Sequence, residues 1–241
     1  GVDYKLTPSK EDNFRNGLST IDLVKMQRHI LGVDEFTSPY EVIAADINGN
    51  EKVEPTDILT LRKLILKIIT GVPTNTSWKF VDATQTFSEV LNPWPIQETR
   101  STGDLTGDRT DMDFIAVKIG DVNGSAELRN ATPEVMMTAD RAVEAGESVS
   151  ITFTSGEFAE VYGTQFTMEH AGLSYAGVSS GALSVSDVNV GVINAGMITM
   201  SATAPMGMTA GSTEGIFTLN FVAERSGSLS EMLRLSSRST T

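Results

Sequence analysis

No cysteine occurs among the 241 residues of the chain. That excludes a disulfide scaffold and thiolate metal sites, and it leaves the redox compartment open. Histidine is nearly missing. His29 and His170 are the two present, and without Cys or each other nearby they spell no zinc site, so structural roles are expected for both. Basic residues are scarce: 18 Lys and Arg against 31 Asp and Glu leave a formal net charge of -13. Such a chain has little with which to neutralise a phosphate backbone, which argues against nucleic acid. The acidity suits divalent cations and solubility. No apolar run reaches the roughly 20 residues of a membrane span. No Gly-x-Ser-x-Gly elbow, phosphate loop or His-Glu-x-x-His pattern is present, and no carboxylate spacing supports a glycosidase pair, so no enzyme activity is expected. No signal peptide opens the chain. It starts at Gly1-Val2-Asp3-Tyr4 and ends at Arg238-Ser239-Thr240-Thr241, which reads as a mature or excised piece of a longer protein.

What is present is more telling. Asp46-Ile47-Asn48-Gly49-Asn50-Glu51-Lys52-Val53-Glu54-Pro55-Thr56-Asp57 puts side-chain oxygens at loop positions 1, 3, 5, 9 and 12, with an apolar residue at position 8. An amphipathic stretch over residues 58–69 follows. Calcium is a hard cation that takes about six to eight oxygen ligands, and a loop of this spacing wraps it with alternate side chains. The expected ligands are Asp46, Asn48, Asn50, Glu54 and Asp57, with Lys52 offering its backbone carbonyl. Position 6 is Glu51 where Gly is usual, and position 12 is Asp where Glu is usual. The alternative is an Asn/Asp-rich turn before a helix, since these residues dominate turns anyway.

The two halves have different grammar. In the first, Leu23, Met26, Ile30 and Leu31, and then Ile58, Leu61, Ile65 and Ile68, recur at helical spacing. Gly32 is the expected stop of the first helix, and Gly71 with Pro73 that of the second. Two loop-helix units of this kind can bury their stripes against each other. Short strands are expected at residues 78–81 and, as a buried strand, 114–119; residues 104–110 read as a solvated loop. The second half alternates with period two over residues 148–154, 162–168, 197–202 and 216–222, punctuated by Gly, Ser and Asn. Many short alternating strands predict a sandwich. Trp78 and Trp94 are expected as core anchors rather than sugar platforms, and Met197, Met200, Met206 and Met208 as sandwich filling.

On these residues the first half resembles the type I dockerin modules of large secreted proteins of Bacteroidetes-like bacteria. Carrying the resemblance are Asn16-Gly17-Leu18-Ser19-Thr20-Ile21-Asp22-Leu23-Val24, Ser38-Pro39-Tyr40, Ala44-Ala45-Asp46-Ile47-Asn48 and Val117-Lys118-Ile119-Gly120-Asp121-Val122-Asn123-Gly124. The second half resembles a cohesin, a nine-stranded jelly-roll sandwich that binds dockerins, through Ala145-Gly146-Glu147-Ser148-Val149-Ser150 and Gly215-Ile216-Phe217-Thr218-Leu219-Asn220-Phe221. The fold class expected is therefore multidomain. A small, mainly α calcium-loop module spans residues 1–126 with an irregular insertion at about 78–112, residues 127–133 form a linker, and an all-β jelly-roll sandwich spans residues 134–241.

The resemblance implies a second calcium loop, and that loop is damaged. Counted back from Asp22, it has Glu11, Asn13 and Arg15 at positions 1, 3 and 5, and Arg15 cannot ligate a cation. Gly17 and Asp22 keep its back half, while Asp121-Val122-Asn123-Gly124-Ser125 copies the front half of the intact loop. Either Asp121, Asn123 and Ser125 join the Gly17 carbonyl and Asp22 in one split site, or residues 121–124 are an ordinary turn and the first site is dead. Partner contacts in similar dockerins fall at loop positions 10 and 11, here Thr20, Ile21, Pro55 and Thr56; the family's Ser-Thr pair stands one place early, at Ser19-Thr20. The resemblance implies a secreted, cell-surface protein exported by the type IX route, with Ca2+ as cofactor and a protein partner. Head-to-tail assembly of identical chains into filaments is one form this can take. A carbohydrate-binding or spacer region of a larger secreted hydrolase or adhesin is the alternative.

Overall fold

The computed structural model describes residues 3–11, 13–103, 107–125, 139–156 and 158–236. The expected linker at 127–133 and residues 104–106 of the solvated loop lie outside them; residues 107–110 are exposed and without regular structure. The chain divides into two compact units. One gathers Gly1–Leu18, Lys25–Leu61 and Thr70–Leu128; the other gathers Ser19–Val24, Arg62–Ile69 and Arg129–Thr241.

The first unit is built on helices. Helix α1 (Thr20–Ile30) begins in the second unit and continues into the first. It stops at Gly32 as the sequence predicts: φ is +64° there, Gly32 N–H donates to the His29 carbonyl at 3.0 Å, and Val33 N–H reaches the Arg28 carbonyl at 2.9 Å. This pair of bonds with a left-handed residue is the Schellman ending. Helix α2 (Pro39–Ala45) is an addition to the two helices expected. Its signal was in the sequence: Ser38 and Glu41 cap it reciprocally, and Pro39 opens the first turn. Helix α3 (Pro55–Ile65) ends well before Gly71, which corrects the expected stop. Strand β1 (Tyr4–Leu6) pairs with β3 (Arg100–Thr102), and β2 (Trp78–Asp82) with β4 (Phe114–Lys118). The strand expected to be buried at 114–119 is so only toward its end: Ile115 and Ala116 are exposed, while Val117, Lys118 and Ile119 are buried. Met26, Val42, Ala45, Ile47, Leu61 and Val81 are among the fully shielded side chains of this unit.

The second unit is a two-layer sandwich of nine strands among the described residues, as the alternation predicts. One sheet has the order β13-β7-β10-β9, from Leu233–Ser236, Val161–His170, Met197–Met208 and Val190–Asn194. The other has the order β6-β11-β8, from Ser148–Phe153, Phe217–Ala223 and Leu173–Ser180. The pair β5 (Ala142–Val143) and β12 (Gly227–Ser228) completes the count, and a short helix α4 (Leu229–Met232) follows. Alternate residues meet between the layers: Val149, Ile151 and Phe153 from one sheet face Phe166, Met168 and Met200 from the other in one core. The rings of Phe153 and Phe217 stack at 4.8 Å.

Two expectations about side chains need correcting. Of the four methionines assigned to the sandwich filling, Met200 is fully buried but Met206 is 71% exposed, because β10 runs past the core at its far end. Leu31 and Ile68 leave the apolar stripes, since each lies beyond its helix's last turn and is exposed. In α3 this follows from its ending. Lys67 adopts φ +61°, Lys67 N–H meets the Leu64 carbonyl at 3.0 Å and Ile68 N–H the Lys63 carbonyl at 2.9 Å. A lysine thus holds the left-handed position that Gly32 holds in α1.

Candidate functional site

Helix α2 delivers Asp46 to the start of the loop, and α3 carries Asp57 in its first turn. Between them the backbone folds around two carboxylates. Asp46 Oδ1 accepts from Gly49 N–H (2.9 Å) and Asn50 N–H (3.0 Å), and its Oδ2 from Glu51 N–H (2.9 Å). Asp57 Oδ1 accepts from Ile47 N–H (2.9 Å) and Asn48 N–H (3.1 Å), and its Oδ2 from Glu54 N–H (3.0 Å). The turn needs left-handed residues at Gly49 (φ +74°) and Glu51 (φ +64°). Glycine takes that conformation freely; for Glu51 it costs about 1–2 kcal/mol. Outside braces hold the loop: Thr74 Oγ1 donates to the Asn48 carbonyl at 2.7 Å and Asn75 Nδ2 to the Asp46 carbonyl at 2.9 Å. A side chain at position 49 would come within 3.1 Å of the Thr74 carbonyl, a second reason for glycine there.

Both loop carboxyls are pushed above the ordinary carboxylate range. Burial is the largest cause in each, opposed by the backbone donors; Glu51 adds repulsion at Asp46, and Asp46 adds it at Asp57. Two buried negative charges in one loop are a cost that a cation would remove. The remaining donors are Asn48, Asn50 and Glu54, with the Asn50 amide donating to Glu54 Oε1 at 3.0 Å. Every candidate donor is oxygen, so the set fits a hard cation rather than zinc or copper. Among the described residues no group of three or more His, Cys, Asp or Glu side chains gathers. The loop buries two carboxylates and leaves the rest to the Asn48 and Asn50 amides, the Glu54 carboxylate and the Lys52 carbonyl.

The front half of the second, split loop lies beside part of the back half. Ser125 Oγ donates to the Gly17 carbonyl at 3.2 Å across 108 positions of chain. Ser125 N–H reaches Asp121 Oδ1 at 2.9 Å, the same position-5-to-position-1 bond that Asn50 makes to Asp46. Asp22, in the second unit, accepts at Oδ2 from Ser19 N–H (2.8 Å) and Ser19 Oγ (3.0 Å). At the head of a helix this is a capping arrangement.

Residues 17–84 match the family model of the type I dockerin domain. This part of the chain carries a dockerin domain. Dockerin domains of type I bind calcium, and they are interaction modules rather than catalysts. No curated protein matches the chain. Among solved structures it is similar to a non-cellulosomal cohesin from Archaeoglobus fulgidus, at 14% identity over 34% of this chain with a TM-score of 0.27; it spans 58% of that protein's length. It is also similar to the sixth cohesin of scaffoldin B from Acetivibrio cellulolyticus, solved with a Cel5 dockerin. There the identity is 18% over 42% of this chain and 81% of the other, with a TM-score of 0.32.

The four dockerin positions expected at a partner surface have different surroundings. Ile21 is 59% exposed, and Pro55 and Thr56 are exposed, with Thr56 Oγ1 donating to Glu54 Oε1 at 2.8 Å. Thr20 is buried. Its N–H and Oγ1 both donate to Gln165 Oε1 at 2.9 Å, and Oγ1 lies 2.7 Å from Ser201 Oγ, all within the second unit. Neither Gln165 nor Ser201 was expected at a functional position. Gln165 lies in the alternating stretch over residues 162–168; the sequence signal for Ser201 was the run Ile198-Thr199-Met200-Ser201-Ala202, where the hydroxyls alternate with core residues. The structure buries both faces of that strand.

Trp78 does not offer a free ring to a sugar, since Lys10 Nζ sits 4.4 Å from its centroid and Lys118 Nζ 5.8 Å. His29 stacks on Phe36 at 4.1 Å and accepts the Phe36 N–H at Nδ1. His170 Nδ1 lies 2.8 Å from the Leu173 carbonyl.

Proposed function

We propose that the chain is a non-catalytic, extracellular assembly protein whose dockerin domain is ordered by calcium in the loop from Asp46 to Asp57. The observation that carries this is the pair of buried carboxylates, each held by three backbone N–H groups inside the segment that matches the dockerin model. Asp46, Asn48, Asn50, Glu54 and Asp57, with the Lys52 carbonyl, would hold the ion. Bound calcium would neutralise the two carboxyls and couple loop order to the folding of the helices on either side. A second calcium position would draw on Asp121, Asn123, Ser125 and the Gly17 carbonyl; the bond from Ser125 to Gly17 favours it over a plain turn.

The β-sandwich would be the cohesin-like receptor, and the partner a protein. Identical chains joined head to tail are a form that one chain carrying both kinds of surface permits, because heterologous contacts that do not close propagate. Cell-surface location belongs to the same reading. The carbohydrate-binding alternative is the weaker one, because Phe153, Phe166, Phe217 and Phe221 all point into the sandwich core.

The test is the mass of the full chain by light scattering in millimolar calcium and in chelator. Growth to large species in calcium, reversed by chelation, supports calcium-dependent self-assembly. An unchanged monomer in both conditions rejects self-assembly, and it leaves calcium a folding role with a foreign partner.

A further inference from the structure

An Asn-Gly pair is a point where a chain readily reacts with itself, because a glycine nitrogen carries no side chain to hinder its approach to the preceding amide. The sequence has three, Asn16-Gly17, Asn48-Gly49 and Asn123-Gly124. Each glycine stands at positive φ, +79°, +74° and +66° in turn, so each pair serves a turn. Asn48-Gly49 has an additional property. The fold places a polar group on every atom that gains or loses charge when the Gly49 nitrogen attacks the Asn48 side chain.

Gly49 N–H donates to Asp46 Oδ1 at 2.9 Å, so a carboxylate stands where the proton of the nucleophile must go. Thr74 Oγ1 donates to the Asn48 carbonyl at 2.7 Å, and that oxygen takes up charge as the peptide nitrogen loses its proton. Asn50 N–H donates at 3.0 Å to Asn48 Oδ1, the oxygen that becomes the oxyanion of the tetrahedral intermediate. The leaving nitrogen, Asn48 Nδ2, is held by Thr56 Oγ1 at 3.2 Å. The reacting atoms belong to adjacent residues and close a five-membered ring, so their proximity is covalent. Asn48 is half-buried and Gly49 exposed, which leaves the site open to water.

We infer that the calcium-free loop modifies itself, converting Asn48 to aspartate and isoaspartate through a succinimide. The Gly49 nitrogen bonds to Asn48 Cγ and gives its proton to Asp46. The Cγ–Nδ2 bond then breaks, and the nitrogen leaves as ammonia, taking the proton back from Asp46. One water opens the ring. Addition at Cγ leaves an aspartate at position 48. Addition at the main-chain carbonyl leaves an isoaspartate, whose backbone is one methylene longer. Either product turns loop position 3 from an amide into a carboxylate, beside Asp46, Glu54 and Asp57. A cation in the loop would engage both Asp46 and Asn48, which removes the base and ties down the amide oxygen. That calcium effect rests on the calcium reading above; the conversion itself does not.

The test holds the full chain in chelator, in millimolar calcium, and in chelator with urea, then digests each sample and weighs the peptides. Loss of ammonia marks the succinimide, and a rise of one mass unit marks the two acids. Asn16-Gly17 is the reference within each sample, since Phe14 stands relative to it where Asp46 stands relative to Asn48. In chelator Asn48 is expected to convert at least about tenfold faster than Asn16, a modest share of what a placed base supplies. Urea should bring the two rates within about twofold of each other, and calcium should slow Asn48 by about tenfold. Asp46→Asn, which removes the base, should bring Asn48 to the rate of Asn16. Thr74→Val changes an exposed residue outside the ligand set and should slow Asn48 by about tenfold while far-UV circular dichroism stays that of the parent.

An Asn48 rate in chelator no higher than in urea overturns the inference, because the fold then shields the amide instead of attacking it. Unchanged rates in both variants overturn the assigned roles. Fast conversion that calcium does not slow upholds the self-modification and counts against calcium in this loop, so the two readings fail separately.

Discussion

Replacing Asp57 with alanine should separate the calcium contribution of the loop from its bare architecture. The side chain accepts three backbone N–H groups, and only the bond from Ile47 is fully buried. Leaving that donor unsatisfied costs about 1–3 kcal/mol, while the partly exposed donors of Asn48 and Glu54 can turn to water and cost about 0.5–1 kcal/mol each. Against this, the variant loses a buried charge that faces Asp46, the same burial that raises the carboxyl pKa of both. The net loss in chelator is about 2 kcal/mol. In calcium at a hundredfold excess over Kd, the parent gains about 2.7 kcal/mol. A variant without the last loop ligand should gain almost none of it, so the gap widens to about 5 kcal/mol. Urea unfolding followed by tryptophan fluorescence reads this directly, because Trp78 and Trp94 both belong to the unit that contains Asp57. The reasoning is refuted if calcium raises the midpoint of Asp57→Ala by as much as it raises that of the parent.

Three further outcomes follow from the same unit. Glu51→Gly should stabilise the calcium-free loop by about 1 kcal/mol, since glycine accepts the left-handed backbone without penalty and one charge beside Asp46 is lost; a lower urea midpoint in chelator would count against it. Ser38→Ala should cost about 1 kcal/mol through loss of the α2 cap, and Glu41→Ala should give a similar loss if the capping is reciprocal, both read by the same fluorescence. His29 has its pKa lowered, chiefly by burial, with Glu35 and Glu41 opposing. The unfolded chain therefore takes up the proton first, and stability is full above the ordinary imidazole range and falls as pH drops through it. Thermal midpoints should decline on acidification from pH about 8 to about 6, less so in His29→Gln, and a flat profile in the parent would exclude the burial argument.

The parts of this protein legible in its sequence are those whose partners lie close along the chain. A calcium-type loop takes its oxygens from one short stretch of chain, so Asp46, Asn48, Asn50 and Asp57 can be named as candidate donors from spacing alone. Gly32 ended α1 for an equally local reason, and Ser38 with Glu41 carried the signal of α2 although the helical stripes drew attention elsewhere. The alternation of residues 148–154 and 216–222 foretold the inward faces, because a strand's side chains change sides at every residue. What only tertiary structure decided involves residues far apart in sequence. A lysine took the left-handed ending of α3, and Met206 fell outside the core at the end of a long strand. Ser125 came to the Gly17 carbonyl, and the hydroxyls of Thr199 and Ser201 on β10 found the helix ends at Leu66 and Thr20. Local spacing specifies which groups a segment offers. Which distant groups they meet depends on how the layers pack, and no short window of the sequence contains that information.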